Sequence, residues 1–145
     1  FLEPGDMPAR IRDYCREKRQ AMPQTHGEIL RIIFESLAFK YRHVLDNLIA
    51  LTGRTVDTLH IIGGGSQNTL LNQLTASAIG RRVVAGPSEG TALGSTIVQF
   101  IELGEIKDVW EARQILSQTV QSGVYEPHDS ATFDAQYQRF SEVIE

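Results

Sequence analysis

A chain of 145 residues, 41% of them hydrophobic, has the length of one domain and enough apolar content for a core. Lysine and arginine number 14 against 18 aspartates and glutamates, and the formal charge of -4 offers no basic field for nucleic acid or an anionic membrane. The single cysteine, Cys15, excludes an internal disulfide and a cysteine-based zinc cluster, and no apolar run reaches the roughly 18 residues of a membrane span, so a soluble cytoplasmic protein is expected.

Taken in chain order, Met7 to Gln20 has helical character, with Pro8 tolerated in the first turn and Cys15 packed on the apolar face. Thr25 with Glu28 three residues on forms a capping box, which opens a long helix that Gly53 ends. Leu30, Ile33, Phe34, Leu37, Tyr41, Val44, Leu45 and Leu48 recur along it in helical spacing and are expected to form one continuous buried face. Thr58 to Ile62 then reads as a short buried strand, followed by Gly63, Gly64 and Gly65. A helix with Leu70, Leu71, Leu74 and Ala78 on one side stops at Gly80. Arg81 to Ala85 is a second strand, closed by Gly86 and Pro87, and a further helix carries Leu93, Ile97, Phe100 and Ile101 to Gly104. This β-loop-α-β-loop-α order, with a right-handed crossover, makes the two strands parallel neighbours.

The remainder is helical. Asp108 and Glu111 start a helix with Val109, Ala112, Ile115 and Leu116 inward, ended by Gly123. A last helix follows VYEPHDS, with Phe133, Tyr137, Phe140 and Ile144 on one face. The class is therefore α/β, with few strands and many helices. Parallel sheets average about five or six strands, so two leave a deficit. With no initiator methionine at the start, this favours a C-terminal fragment whose other strands lie in sequence outside the chain.

HIIGGGSQN lacks the G-x-G-x-x-G of a dinucleotide-binding turn and the G-x-x-x-x-G-K-[ST] of a phosphate-cradling loop. What it shares with them is physical. A loop without side chains leads from the C-terminal end of a parallel strand into a helix N-terminus, the place where open α/β sheets bind ligands. A ligand-binding loop and a tight strand-to-helix connection both fit that pattern. The second strand end, Ala85 to Ser95, has the same architecture: Ser88 is expected to cap the helix, Glu89 to complement its dipole, and Gly90, Ala92 and Gly94 to permit close helix packing.

LHIIGGGSQNTLLNQLTA followed by AGPSEGTALGS resembles the C-terminal lobe of the FGGY carbohydrate kinases, and within them the rhamnulokinase branch. The likeness runs from FLEPGDMPARI through ESLAFKYRHVLDNL to DVWEARQILSQTV. The resemblance implies a ribonuclease H-like lobe of the actin/hexokinase ATPase type, with residues 1–145 on the nucleotide side. The N-terminal lobe and the first strands of this lobe would lie outside the chain. It implies ATP in the interlobe cleft, with Gly63, Gly64 and Gly65 facing the nucleotide and Gly64 in direct contact. Asn68 would reach the adenosine end, with Ser66 and Gln67 nearby. Glu89, Thr91, Ala92 and Gly94 match the family's E-x-T-A-x-G segment; Gly90 stands where many relatives carry alanine, and Ser95 where asparagine is frequent.

The implied reaction moves the ATP γ-phosphoryl group to the 1-hydroxyl of L-rhamnulose, with Mg²⁺ screening the phosphates and an upstream aspartate as base. No catalytic residue and no metal ligand is assigned within these residues, and the chain by itself is expected to be inactive. Xylulose or glycerol as acceptor, a non-catalytic actin-like nucleotide-binding module, and a purely structural domain are the alternatives. His26, His43, His60 and His128 show no metal-ligand spacing, although His60 precedes the glycines closely. Arg81 and Arg82 read as solvated, Glu102, Glu105, Asp108 and Glu111 as exposed helix ends, and Phe100 and Trp110 as core or lobe-interface residues.

Overall fold

The computed structural model describes residues 5–144, so Phe1 to Pro4 of the FLEPGDMPARI segment and Glu145 lie outside the described residues. The first helix, α1 (Met7–Glu17), starts where the Asp6 carboxylate accepts the Ala9 N–H at 3.0 Å. It stops short of Gln20, whose N–H donates back to the Cys15 carbonyl while Arg19 takes φ 54. The second, α2 (His26–Thr52), has the expected capping box: Thr25 Oγ1 accepts the Glu28 N–H at 3.2 Å and the Glu28 carboxylate accepts the Thr25 N–H at 3.2 Å. Gly53 closes it in the left-handed region at φ 63, which a side chain would oppose.

The buried face of α2 differs from the expected one. Ile29, Ala38, Phe39 and Leu45 are buried, whereas Leu30, Leu37, Tyr41, Val44 and Leu48 are exposed, Leu48 by 52%. The helix is apolar on two sides, and a 3.6-residue period runs along either. The face with small Ala38 lets another helix approach closely, so that face is the one covered.

Among the described residues three strands form the sheet, in the order β1 (Thr58–Ile61), β2 (Arg82–Ala85), β3 (Gly123–Tyr125). The first two are parallel, with Thr58 opposite Arg82 and Ile61 opposite Ala85. Between them crosses α3 (Thr69–Ile79), stopped by Gly80 at φ 63. The third strand corrects the expectation of two. Gly123 does not end a helix but opens β3, which runs antiparallel to β2 with Val84 opposite Val124. Three residues are too few for an alternating pattern to register.

Helix α3 is the centre of the core. Leu74 and Ala78 pack with Ala38 and Phe39 of α2 and with Phe133 of α6 (Ser130–Ile144). Tyr137 and Phe140 surround that cluster, and the Phe39 ring lies 5.5 Å from Phe140 and 6.0 Å from Phe133. Ala76 and Ile79 join Leu45 and Val83, which ties α3 to β2. Arg42 fastens the group: its guanidinium donates to the Ala78 carbonyl at 3.0 Å, pairs with Asp134, and lies 4.2 Å over the Tyr137 ring. Loss of water raises the Tyr137 hydroxyl pKa, with Asp46 adding to the rise and Arg42 opposing it. A smaller cluster of Ile11, Cys15 and Ile29 holds α1 on α2.

The other two helices, α4 (Gly90–Glu102) and α5 (Val109–Thr119), stand apart. Asp108 caps α5 by accepting the Trp110 and Glu111 N–H groups at 2.9 and 3.0 Å. Trp110 is 70% exposed, with Arg113 4.9 Å over its ring, and Phe100 is also exposed, so of the two expected placements, core or lobe interface, neither residue takes the core. Among the described residues no helix is long and apolar enough to cross a membrane.

Candidate functional site: the strand-end glycine turn

Beyond the C-terminal ends of β1 and β2 the two following loops lie side by side. The Gly86 N–H donates to the Ile61 carbonyl at 2.8 Å, and the Gly63 N–H donates to the Pro87 carbonyl at 2.9 Å. Gly63 sits at φ 85, ψ -172, a region almost closed to residues with a Cβ. The chain then makes one turn of 3₁₀ helix, Gly64–Gln67. Its opening N–H groups have no carbonyl inside the turn to bond.

Gly64, Gly65 and Gln67 are exposed. A Cβ built on Gly63, Gly64 or Gly65 would meet nothing within 4 Å. Gly63 thus has a backbone reason to be glycine. Gly64 and Gly65 have neither a positive φ nor a crowding neighbour, so no contact within the described chain accounts for them.

Two of the polar side chains here, those of Ser66 and Asn68, bond within the chain. Ser66 is turned inward, 9% exposed, and its Oγ donates to the Gly63 carbonyl at 2.7 Å while its N–H donates to the same oxygen at 3.0 Å. Asn68 caps α3, its Oδ1 accepting the Leu71 N–H at 3.0 Å. Beneath them Asn72, fully buried in α3, donates from Nδ2 to the Ser66 carbonyl at 2.8 Å. Asn72 is not among the residues that the sequence pattern marks. Its signal was an asparagine in an apolar helix, one turn after the capping Asn68.

The second loop borders the first. Glu89 is the N-cap residue of α4 and makes no side-chain capping bond, so Ser88 does not cap the helix as expected; the helix begins at Gly90. A Cβ on Gly90 would touch Ile62 Cδ1 at 3.4 Å, which brings the first turn of α4 against the residue preceding the glycines. Thr91, Ala92 and Gly94 are exposed, and Gly94 has nothing within 4 Å of a built Cβ. The small series therefore meets a strand-end side chain at Gly90 alone and does not pack a helix. His60 lies exposed on β1. Arg82 pairs with Glu126 at 2.7 Å. Among the described residues no group of three His, Cys, Asp or Glu is arranged to hold a metal.

The surface this produces is exposed backbone at Gly64 and Gly65, with exposed Gln67 beside it. A groove-like cavity of about 920 Å³ lies elsewhere, between α1, α2 and α6, lined by residues that include Ile11, Cys15, Ile33, Phe39 and Phe140. The glycine turn can admit a broad flat group against bare backbone. It cannot enclose that group alone.

Residues 1–103 match the FGGY family of carbohydrate kinases, C-terminal domain. The chain is 51% identical over 144 residues to a rhamnulokinase of Bacteroides thetaiotaomicron, covering 99% of this chain and 30% of the relative. It is 44% identical to a rhamnulokinase of Enterococcus faecalis, covering 97% of this chain and 29% of that one. The chain thus spans less than a third of the length of these curated relatives. Among solved structures, the xylulose kinase from Rhodospirillum rubrum superposes with a TM-score of 0.64 at 23% identity, over 85% of this chain and 25% of that one. The gluconate kinase from Lactobacillus acidophilus gives 0.65 at 21% identity, over 83% and 25%. The α/β arrangement of few strands and many helices is shared with these sugar kinases, and the chain belongs to the FGGY family of carbohydrate kinases, as part of its C-terminal domain.

Proposed function

We propose that this chain supplies the nucleotide side of the ATP site in a kinase that phosphorylates L-rhamnulose on its 1-hydroxyl. The observation that carries the ATP site is the bareness of Gly64 and Gly65, which nothing within the described chain requires and which a nucleotide lying against the turn would. The two relatives named rhamnulokinase, which align over 99% and 97% of the chain, support this acceptor.

Gly63, Gly64 and Gly65 form the surface the nucleotide meets, and Gln67 and the backbone of Asn68 border it. Ser66 serves from below, through its bonds to Gly63. In the transfer, the sugar hydroxyl oxygen bonds to the γ-phosphorus, the bond to the β-phosphate oxygen breaks, and ADP leaves; the hydroxyl proton passes to a carboxylate base outside these residues. A bound Mg²⁺ would offset the phosphate charge. The chain itself provides position. The exposed apolar faces of α2 and α4 support a nucleotide-side lobe, residues 1–145, completed by further strands and an N-terminal lobe in the longer protein, which we place in the cytoplasm.

A coupled assay of ADP release by the longer enzyme against L-rhamnulose, D-xylulose and glycerol tests this. L-Rhamnulose is expected to give the highest kcat/KM. A preference for another acceptor overturns the substrate, and no ADP release with any of the three overturns the kinase in favour of a non-catalytic nucleotide-binding module.

A further inference from the structure

We infer that Asn72 is a positioning residue for nucleotide binding, which holds the glycine turn in its receptive shape through a buried bond to the Ser66 carbonyl. The inference rests on the ATP site proposed above.

Asn72 is a costly residue for its place. It is 0% exposed in α3, flanked by buried Leu71 and Leu74, and asparagine is among the weaker helix formers. Its Oδ1 is buried with no hydrogen-bond partner among the described residues, which forfeits the hydration that oxygen has in water. Reversing the amide offers no relief, since two acceptors would then face each other across the 2.8 Å now spanned by the bond from Nδ2 to Ser66. A leucine, with the same branching, would remove the orphan oxygen and favour the helix. The one thing it would not do is bond the Ser66 carbonyl.

That bond is the anchor of a connected set. From Asn72 the contacts run to the Ser66 carbonyl at 2.8 Å, from Ser66 Oγ and N–H to the Gly63 carbonyl at 2.7 and 3.0 Å, and from the Gly63 N–H to the Pro87 carbonyl at 2.9 Å. The set joins the second turn of α3 to the second strand-end loop. Every one of its links uses Ser66, Gly63 or Asn72, and none uses an atom of Gly64 or Gly65; the Gly65 carbonyl accepts the Asn68 N–H at 3.1 Å, and both glycines are exposed. A turn of consecutive glycines has wide conformational freedom. Fixing it before the nucleotide arrives moves that ordering cost out of the binding step.

Two substitutions in the longer enzyme test this. Asn72→Leu is expected to keep or raise the melting temperature while raising the KM for ATP about tenfold and leaving the KM for the sugar unchanged. Asn72→Asp keeps the shape but faces Ser66 with an acceptor. Burial raises the pKa of such a carboxyl, so its protonated form, which can donate to the Ser66 carbonyl, accumulates as pH falls. Binding of a non-hydrolysable ATP analogue by Asn72→Asp is therefore expected to strengthen, relative to the unsubstituted enzyme, as pH is lowered and to weaken as it is raised. An unchanged ATP KM in a folded Asn72→Leu overturns the inference. So does a parallel loss of stability and ATP affinity, which is the mark of packing alone, and so does a pH profile of Asn72→Asp parallel to the unsubstituted one. Hydrogen exchange at the amides of Gly64 to Asn68 in nucleotide-free enzyme, expected to quicken about tenfold in Asn72→Leu, reads the turn whether or not ATP is the ligand. If the unsubstituted enzyme fails to bind ATP while exchange quickens, the functional proposal falls and the buried anchor stands.

Discussion

Helices α3 and α4 hold equivalent places, each following a parallel strand and a loop rich in small residues, yet their surroundings are opposite. In α3 eight of 11 residues are buried: Leu71, Asn72, Leu74, Thr75, Ala76, Ser77, Ala78 and Ile79. In α4, over 13 residues, none is. Both sequences are apolar enough to be covered. The difference lies in what faces them: α2 and α6 close over α3, while α4 meets little besides α5. Burial is set by the partner as much as by the helix: α3 is covered, while α4 and the residue after it present Val98, Phe100 and Leu103 to solvent.

The widest separation between the two sides is expected from a matched pair of truncations. Leu74 is 5% exposed and Val98 is 65% exposed. Leu74→Ala should destabilise by about 2–5 kcal/mol, since it leaves a cavity between α2 and α6. Val98→Ala should change this chain by under about 0.5 kcal/mol. Urea denaturation of both variants measures this. Equal losses would erase the contrast; a Val98→Ala loss that grows in the longer protein would show that α4 is covered there.

Most of the elements were legible because their punctuation is chemical. The Thr25–Glu28 box, Gly53, Gly80 and Asp108 mark helix ends that the structure reproduces. The parallel pairing of β1 and β2 followed from strand order. What stayed hidden depended on neighbours. Which apolar side of α2 is covered is decided by the fit of Ala38 and Phe39 against α3, β3 exists only as a partner for β2, and the exposure of Trp110 reflects the open side. At the site, the glycines were visible as a string, but the inward turn of Ser66 and the bond from Asn72 arise from tertiary geometry that spacing does not encode.

A narrower contrast lies within the turn itself. Gly63 is held at φ 85, so Gly63→Ala should cost about 1–3 kcal/mol of stability through backbone strain. Gly64→Ala has no such strain and open space for its methyl, so stability should shift by less than about 0.5 kcal/mol. ATP affinity in the longer enzyme should nevertheless fall about tenfold with Gly64→Ala, because the methyl occupies the surface offered to the nucleotide. Thermal melts beside nucleotide titration separate the two effects. An unchanged affinity in Gly64→Ala would leave the turn as a tight connection and nothing more.

The smallest expected effect concerns the helix that finishes the α3 side. Backbone N–H groups of Gln24 and Thr25 hold the Glu28 carboxyl below its ordinary pKa by stabilising the charged form. A carboxyl with a lower pKa in the folded than in the unfolded chain contributes stability that is complete above the unfolded value, about 4.3, and disappears as pH falls through the folded one. Glu28→Gln can still accept those bonds but carries no charge and does not titrate. The melting temperature of the parent chain should therefore exceed that of Glu28→Gln at pH 7, and the gap should close as acid protonates Glu28. Melts from pH 7 to pH 3 follow it. The carboxylate is exposed, so solvent screens it and the gap should be small, but its direction is fixed by the cap. A gap that widened in acid would mean that the box does not anchor the start of α2, and the covered side would then owe its order to packing against α3 alone.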